Sequence, residues 1–356
     1  MTDVIRVDPA SPDLAALKPA ADRLRTGGLV AFPTETVYGL GAHAMDAAAV
    51  TRVFEAKGRP ANDPLIVHIP RIGSLDQLVS RVPDTARTLA AKFWPGPLTL
   101  VLPRAAGVPD EVTAGLGTVA VRMPSHPVAR ALLDLADVPV AAPSANLFSR
   151  PSPTRASHVL DDLKDRIDVL IDGGPTEVGI ESTVLDLTGD TPTILRPGAT
   201  TLEALRQVLP QTVVGSPVAP ATGAPTSLPS PGMLHKHYSP RAPMTLYEGT
   251  GAVDAMVADA RLARNRGQRI GILAADEDRR RLGAAGGVEG GPPLKIVTVG
   301  SSDDADAVAA RLYGALRELD AAGVDLILVR GFPARGGIGL AIQDRLRRAA
   351  GNRIAT

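Results

Sequence analysis

The chain has 356 residues, 44% hydrophobic and 21% charged, with 38 cationic and 38 anionic side chains and no cysteine. A length beyond the ~250 to 300 residues at which single cores stop growing predicts two domains, and the missing cysteine excludes disulfides and thiolate metal sites. No apolar stretch approaches the roughly 20 residues of a membrane-spanning helix, and MTDVIRVDPA at the start has no basic segment followed by an apolar one, so a cytoplasmic protein without a membrane partner is expected.

The charge is unevenly shared: residues 1–230 carry 20 cations against 24 anions, a net −4, and residues 231–356 carry 18 against 14, a net +4. So mild a basic half could at most touch a polyanion, and with aromatics at 3% of residues base stacking is poorly supplied. Along the first 210 residues helical and strand patterns alternate. DLAALKPAADRLRTGG places Leu14, Leu17, Ala21 and Leu24 on one helix face and stops at Gly27-Gly28. LVAFP reads as a buried strand, and DAAAVTRVFEAKG as a helix with Asp46 as N-cap, Val50, Val53 and Phe54 inside, and Gly58 as its stop. LIVHI, LTLVLP, VAVRMP, VPVAAP, DVLID and STVLDLT follow as strands separated by helices such as HPVARALLDLA. VAVRMP and STVLDLT fit an antiparallel as well as a parallel place, so the expectation is a mixed sheet with flanking helices in an α/β domain.

Eight prolines fall within residues 210–243, spaced by Ala, Gly, Ser and Thr; such a stretch buries too little apolar surface to offset the entropy of ordering and reads as a linker. Its end, SPGMLHKHYSP, gathers two histidines, a lysine and Tyr238, which suits either a recognition loop or a solvated hinge. MTLYEG, VDAMVADARLARNRG, RIGILAA, KIVTVG, ADAVAARLYGALRELDAAG and DLILVRG then alternate as a second, smaller α/β unit. The predicted organisation is a domain over residues 10–210, a Pro-rich linker over 211–243 and a C-terminal domain over 244–356.

No GxxxxGK[ST] phosphate loop occurs. GLGAHA at residues 39–44 matches the GxGxxA dinucleotide fingerprint, but PTETVY separates it from the preceding strand, whereas the fingerprint needs its first glycine at the strand-to-helix turn. GGIGLA before the C-terminal helix fits a tight turn. The polar residues that suggest chemistry sit at strand and helix ends: Thr34, Glu35 and Thr36 in PTETVYGL, Lys57 and Arg59 in KGRPANDPL, Arg122 in VRMP, Ser144 and Asn146 in APSAN, Glu181, Ser182 and Thr183 in IESTVLDL, and Arg196 in LRPG. Groups at strand ends of one α/β sheet converge in space, and several cations with hydroxyls but no Ser-His-Asp spacing suit a bound triphosphate. Taken singly, each has a plainer reading. Arg122 fits a buried ion pair, His68 a structural histidine, Lys57 a cation at a helix C-terminus, and Thr36 and Thr183 ordinary strand residues.

FPTETVYGLG, KGRPANDPLIVHI, PGPLTLVL, VAVRMPSHP, APSANLFSRPSPT, GIESTVLDL and ILRPGA, in this order, resemble the YrdC-like family. With GMLHKHYSP and GGIGLAIQDRLRRAA the resemblance extends over nearly the whole chain, to two-domain threonylcarbamoyl-AMP synthases of the Sua type. It implies a YrdC-like twisted mixed sheet with flanking helices, joined by a Pro-rich linker to a smaller Rossmann-like α/β domain. It implies a nucleotidyltransferase reaction in which L-threonine, bicarbonate and ATP give threonylcarbamoyl-AMP and pyrophosphate. The product would pass to a threonylcarbamoyl transferase complex that modifies tRNA beside the anticodon.

By the same resemblance Thr36, His68, Arg122, Ala142 and Ser182 would hold L-threonine, with Arg122 on its carboxylate. Lys57, Arg59, Asp63, Thr118, Ser144, Asn146, Ser152, Arg196 and Tyr238 would line ATP. Mg²⁺ would arrive with ATP and bridge phosphate oxygens, since no dedicated acidic cluster is present. Tyr238 and the histidines before it are expected to gate the pocket. Two other classes, an RNA-binding module and a non-catalytic sensor of nucleotide or amino acid, are separated from the synthase by whether threonine and bicarbonate are both required for pyrophosphate release.

Overall fold

The computed structural model describes residues 1–215, 227–228, 230, 237–286, 291–334 and 336–356. Most of the proline-rich linker, with His235 of the expected gate, lies outside them. The described chain divides into two units, one of residues 1–148 and 152–233 and one of residues 149–151 and 234–356.

The strands of the first unit are β1 (Asp3–Arg6), β2 (Val30–Pro33), β3 (Tyr38–His43), β4 (Ile66–His68), β5 (Leu98–Pro103), β6 (Thr118–Arg122), β7 (Val140–Ala141), β8 (Val169–Asp172), β9 (Thr183–Asp186), β10 (Thr193–Arg196) and β11 (Val213–Val214). Its helices are α1 (Leu14–Arg25), α2 (Ala47–Lys57), α3 (Asp84–Phe93), α4 (Asp110–Thr113), α5 (Pro127–Ala136), α6 (Ala156–Leu163) and α7 (Leu202–Arg206). The strands form one sheet in the order β1-β8-β2-β3-β7-β4-β6-β5-β9-β10-β11. It is mixed for the reason the sequence left open: β6 lies parallel to β4 and antiparallel to β5, and β9 parallel to β5 and antiparallel to β10.

Local signals act as read. The Asp46 carboxylate accepts from the N–H groups of Ala48 and Ala49 at the start of α2, and Gly58 ends that helix at φ 64°, a conformation glycine adopts without a Cβ penalty. In α1 the buried face is Leu17, Ala20, Ala21 and Leu24, whereas Leu14, expected inside, is 55% exposed because the helix starts there, before the sheet covers it. The GLGAHA segment is no phosphate turn: Gly39 and Gly41 lie within β3, and a Cβ on Gly41 would sit 2.7 Å from Val140 Cγ1 and 2.8 Å from Phe32 Cε1. Close strand packing explains that glycine. Residues 213–214, read as the start of the linker, add a short parallel strand beside β10.

The second unit holds β12 (Met244–Tyr247), α8 (Ala252–Asn265), β13 (Ile270–Ala274), α9 (Arg279–Gly283), β14 (Leu294–Thr298), α10 (Ala305–Ala321), β15 (Leu326–Arg330), α11 (Gly339–Ala350) and β16 (Ile354–Ala355). Its sheet is wholly parallel in the order β14-β13-β15-β12-β16, and strands alternating with helices give it a Rossmann-like build. The core between α8, α9 and this sheet contains Met256, Ala260, Leu282, Ile270, Ile272 and Leu328.

Candidate active site

The alternation of the central strands of the first unit creates two unlike faces. Val67, Leu100, Val121, Leu185 and Ile194 point into the main core. The residues between them point to the other face, where Ile66, Val101, Ala120 and Val184 form a small separate apolar cluster. On that second face the register sets one transverse row: His68 opposite Arg122, Arg122 opposite Thr99, Thr99 opposite Val184, and Val184 opposite Arg196, which a break in the alternation between Ile194 and Arg196 brings into the row. With strands ~4.8 Å apart, the row carries an imidazole, two guanidiniums and a hydroxyl across roughly 19 Å.

At the Arg122 end the β2–β3 loop is a hydroxyl-stapled turn. Thr34 Oγ1 accepts from the N–H groups of Thr36 (3.2 Å) and Val37 (3.3 Å), and shares a 2.8 Å hydrogen bond with Thr36 Oγ1. The turn directs Glu35 at Arg122: Nη2 donates to Glu35 Oε1 at 2.6 Å, Nη1 to Thr36 Oγ1 at 3.0 Å and Nε to the Gly96 carbonyl at 3.3 Å. Glu35 Oε2 also accepts from the Ser125 N–H at 3.1 Å. Arg122 and Glu35 are each 4% exposed, so this is a buried ion pair, as the plainer reading of Arg122 has it. Burial raises the Glu35 carboxyl, but the Arg122 charge and the hydrogen bonds outweigh it and hold the group below the ordinary carboxylate value. His68 beside them is pushed down to about 3 by burial, with the Arg122 cation adding to the effect. It is therefore neutral at physiological pH.

At the other end of the row, Ser182 Oγ shares a 2.8 Å hydrogen bond with Thr99 Oγ1, while Arg196 donates from Nη2 to the Ser182 carbonyl at 2.9 Å and to Ser182 Oγ at 3.2 Å. Ser152 donates to Glu181 Oε1 at 2.5 Å, tying the 142–154 loop to the same turn. A Cβ on Gly198 would lie 2.3 Å from the Thr183 nitrogen and 2.4 Å from the Ser182 carbonyl carbon, so the bare glycine backbone is what lets Ser182 and Arg196 approach.

The remaining expected residues form two further groups. Lys57 Nζ donates to the carbonyls of Ser144 (2.5 Å) and Asn146 (2.6 Å), so it shapes the APSAN loop. Ala142 follows β7 and donates its N–H to the Ile66 carbonyl. Arg59 is bound within its own turn, 2.9 Å from Asp63 Oδ2 and donating to the Asp63 and Pro64 carbonyls. That turn precedes β4 and Thr118 opens β6, so they stand at the opposite end of these strands from His68 and Arg122; Thr118 is four residues, about 13 Å, from Arg122. Tyr238 belongs to the second unit, where it is 1% exposed, stacks on Tyr313 at 5.6 Å and lies under the Arg345 guanidinium. The structure thus places His68, Arg122 and Arg196 in one row, with Thr36 hydrogen-bonded to Arg122, Ser182 to Thr99 and Arg196, and Ser152 tied to Glu181 beside Ser182. Lys57, Ser144 and Asn146 form a second group, and Arg59, Asp63 and Thr118 a third. Sequence reading passed over Thr99 and gave Glu35 no role; a hydroxyl on the odd face of LTLVLP and a carboxylate between two threonines were the available signals.

Residues 22–198 match the family described as Telomere recombination, and residues 200–351 match that described as Threonylcarbamoyl-AMP synthase, C-terminal domain. Together with the twisted mixed sheet and its polar row, they define a YrdC-like domain followed by the C-terminal domain characteristic of Sua5 proteins. Threonylcarbamoyl-AMP synthase of Pyrococcus abyssi is 43% identical over 343 residues, covering 94% of each chain, and that of Bacillus subtilis 44% identical over 337 residues, covering 94% of this chain and 93% of the relative. The crystal structure of P. abyssi Sua5 complexed with L-threonine superposes with a TM-score of 0.89 at 41% identity, over 99% of both chains. The chain belongs to the threonylcarbamoyl-AMP synthase family.

Proposed function

We propose that this protein is an L-threonylcarbamoyladenylate synthase, a nucleotidyltransferase acting on L-threonine, bicarbonate and ATP. The observation that carries the reading is the transverse row on one sheet face, with His68 and Arg122 toward one end and Arg196, joined through Ser182 to Thr99, at the other. At one end, the L-threonine carboxylate would take the Arg122 Nη1 donor now used by Thr36 Oγ1, exchanging a neutral acceptor for an anion and gaining a charge-assisted bond. Glu35 would keep its hold on Nη2, fixing the fork, and neutral His68 would add a dipole without adding charge. At the other end Arg196, with Ser152 and the Lys57-shaped APSAN loop, would hold the nucleotide phosphates, Ser182, bonded to Thr99 in the middle of the row, would face L-threonine, and Arg59, Asp63 and Thr118 would take the far side of the nucleotide.

The chemistry requires positioning more than a protein nucleophile. The threonine amine and bicarbonate condense to a carbamate with loss of water. A carbamate oxygen then attacks the α-phosphorus of ATP, the P–O bond to the β-phosphate breaks, and pyrophosphate leaves with the electron pair. The cations neutralise the charge of both anions held in line. Among the described residues no group of three or more His, Asp or Glu side chains is placed to hold a metal, so Mg²⁺ would come bound to the ATP phosphate oxygens and neutralise their charge there. The product would go to a threonylcarbamoyl transferase complex acting on tRNA, in the cytoplasm. No helix among the described residues is long and apolar enough to cross a membrane.

Pyrophosphate release measured with L-threonine, bicarbonate and ATP omitted in turn tests the reading. Release is expected only with all three present. Turnover without threonine would indicate an ATPase, and salt-sensitive RNA binding without any turnover would indicate a binding module instead.

A further inference from the structure

We propose that the second unit carries a ligand site of its own, for a phosphorylated small molecule of mononucleotide size, in the crevice at the carboxyl ends of β12 and β15. The placement follows from chain topology. From β12 the chain runs through α8 to β13, passing β15; from β15 it runs through α11 to β16, passing β12. The two connections leave adjacent strands in opposite directions and on opposite faces. Helix α8 packs over Ile270, Ile272 and Leu328, whereas Gly271, of opposite parity, faces Leu319 of α10, the helix against which α11 packs. Adjacent parallel strands whose following loops diverge open a crevice beyond their carboxyl ends, the usual ligand position in doubly wound sheets.

A cavity of about 420 Å³ occupies this place, lined by Glu248, Gly249, Thr250, Arg330, Phe332 and Gln343 among others. That volume lies within the usual range for small-molecule sites. Its walls offer three kinds of contact. Gly249, at φ 90°, has no heavy atom within 4 Å of where a Cβ would stand, which leaves the peptide backbone of the β12–α8 turn open to a phosphate. The Arg330 Nη1 atom is buried without a hydrogen-bond partner, 3.7 Å from Glu277 Oε1, while Nε of the same group is fixed 2.9 Å from Asp278 Oδ2. A guanidinium held on one edge with a buried donor unused on the other is arranged to receive an oxyanion. Phe332 and Pro333 supply an apolar wall for an uncharged body. Of the nearby carboxylates, Glu248 accepts from Arg347 at 3.1 and 3.0 Å, Asp278 is engaged by Arg330, and Glu277 accepts from the Ser302 N–H and hydroxyl, so each has partners of its own within the protein.

Thr250 is exposed at the mouth, so Thr250→Asp adds a repelling carboxylate without disturbing the core. Equilibrium dialysis of AMP against the full chain, wild type and T250D, is the direct test, with threonine-dependent pyrophosphate release run on both proteins. The wild type is expected to bind one more AMP per chain than T250D, or to bind the crevice AMP at least tenfold more tightly, with pyrophosphate release equal in the two. Adenosine should not compete for the crevice, and inorganic phosphate should compete weakly. Equal AMP stoichiometry and affinity in the two proteins overturns the proposal, as does full competition by adenosine. Failure of the synthase reading shows separately, as absent pyrophosphate release in both proteins.

Discussion

In the proposed site Arg122 is held by its neighbours before any substrate arrives. Its ion pair with Glu35 is buried on both sides, and removing one partner of such a pair typically costs about 3 to 5 kcal/mol by leaving the other charge alone. Arg122→Ala should therefore lower stability by an amount of that order, and in the surviving folded fraction raise the KM for L-threonine roughly 10- to 100-fold, the worth of a hydrogen bond to a charged group. The KM for ATP should change less than threefold. Steady-state kinetics with each substrate varied in turn checks this, and equal losses for both substrates would overturn the division of roles along the row.

His68 makes a prediction in pH. Its folded value near 3 lies far below its ordinary 6.5, so between these limits the unfolded chain binds a proton that the folded chain refuses. Stability should be fully present above about pH 6.5 and fall as the pH drops below it, by up to ~1.4 kcal/mol per pH unit from this group. The lowered Glu35 adds a loss of the same sign below its ordinary value of 4.5. Denaturant melts at pH 7.0 and 5.5 should show the slope, and His68→Gln should flatten it. An unchanged slope would mean that His68 is accessible to protons in the folded state. None of this was visible in LIVH, where a histidine after an apolar run reads equally as a strand end or a ligand.

At the scale of elements, turns and glycines matter more than the strands they join. Gly198 lies where a Cβ would overlap the backbone at Ser182 and Thr183, so even alanine must push β9 and the strand carrying Arg196 apart. Gly198→Ala is expected to lower pyrophosphate turnover at least tenfold, whereas Gly41→Ala, which crowds Val140 and Phe32 side chains, should cost about 1 to 3 kcal/mol of stability with turnover of the folded protein largely kept. Paired melting and turnover measurements on the two variants separate these outcomes. Turnover in G198A equal to the wild type would show that the Ser182–Arg196 approach is dispensable. Helix caps such as Asp46 and Gly58 were readable because their signal is local. The glycines of GLGAHA were not, because a phosphate turn and a tightly packed strand place the same residue types at the same spacing, and only the neighbours Val140 and Phe32 distinguish them.

For the whole molecule, unfolding of the first unit can be followed apart from the second with one intrinsic probe. Trp94, the single tryptophan, lies 6% exposed in the core of the first unit, with its Nε1–H donated to the Leu98 carbonyl. Its fluorescence should therefore report unfolding of the unit that carries the row. L-threonine at about 100 times its Kd should stabilise that transition by ~2.7 kcal/mol. A fluorescence midpoint that threonine leaves unmoved would place the amino-acid site elsewhere.

Composition, periodicity and ordered motifs were enough to establish a two-part α/β chain and its kinship with the threonylcarbamoyl-AMP synthases, because these depend on residue types read in order. What the tertiary structure alone decided is which polar residues share a face. A strand shows its side chains alternately to two sides, and strand register is set by partners distant in the sequence. Thus His68, Arg122, Thr99 and Arg196 fall in one line although 128 positions separate the first from the last. Arg59 and Thr118 stand at the far end of the same strands, because β4 and β6 run parallel, Arg59 precedes β4 and Thr118 is the first residue of β6.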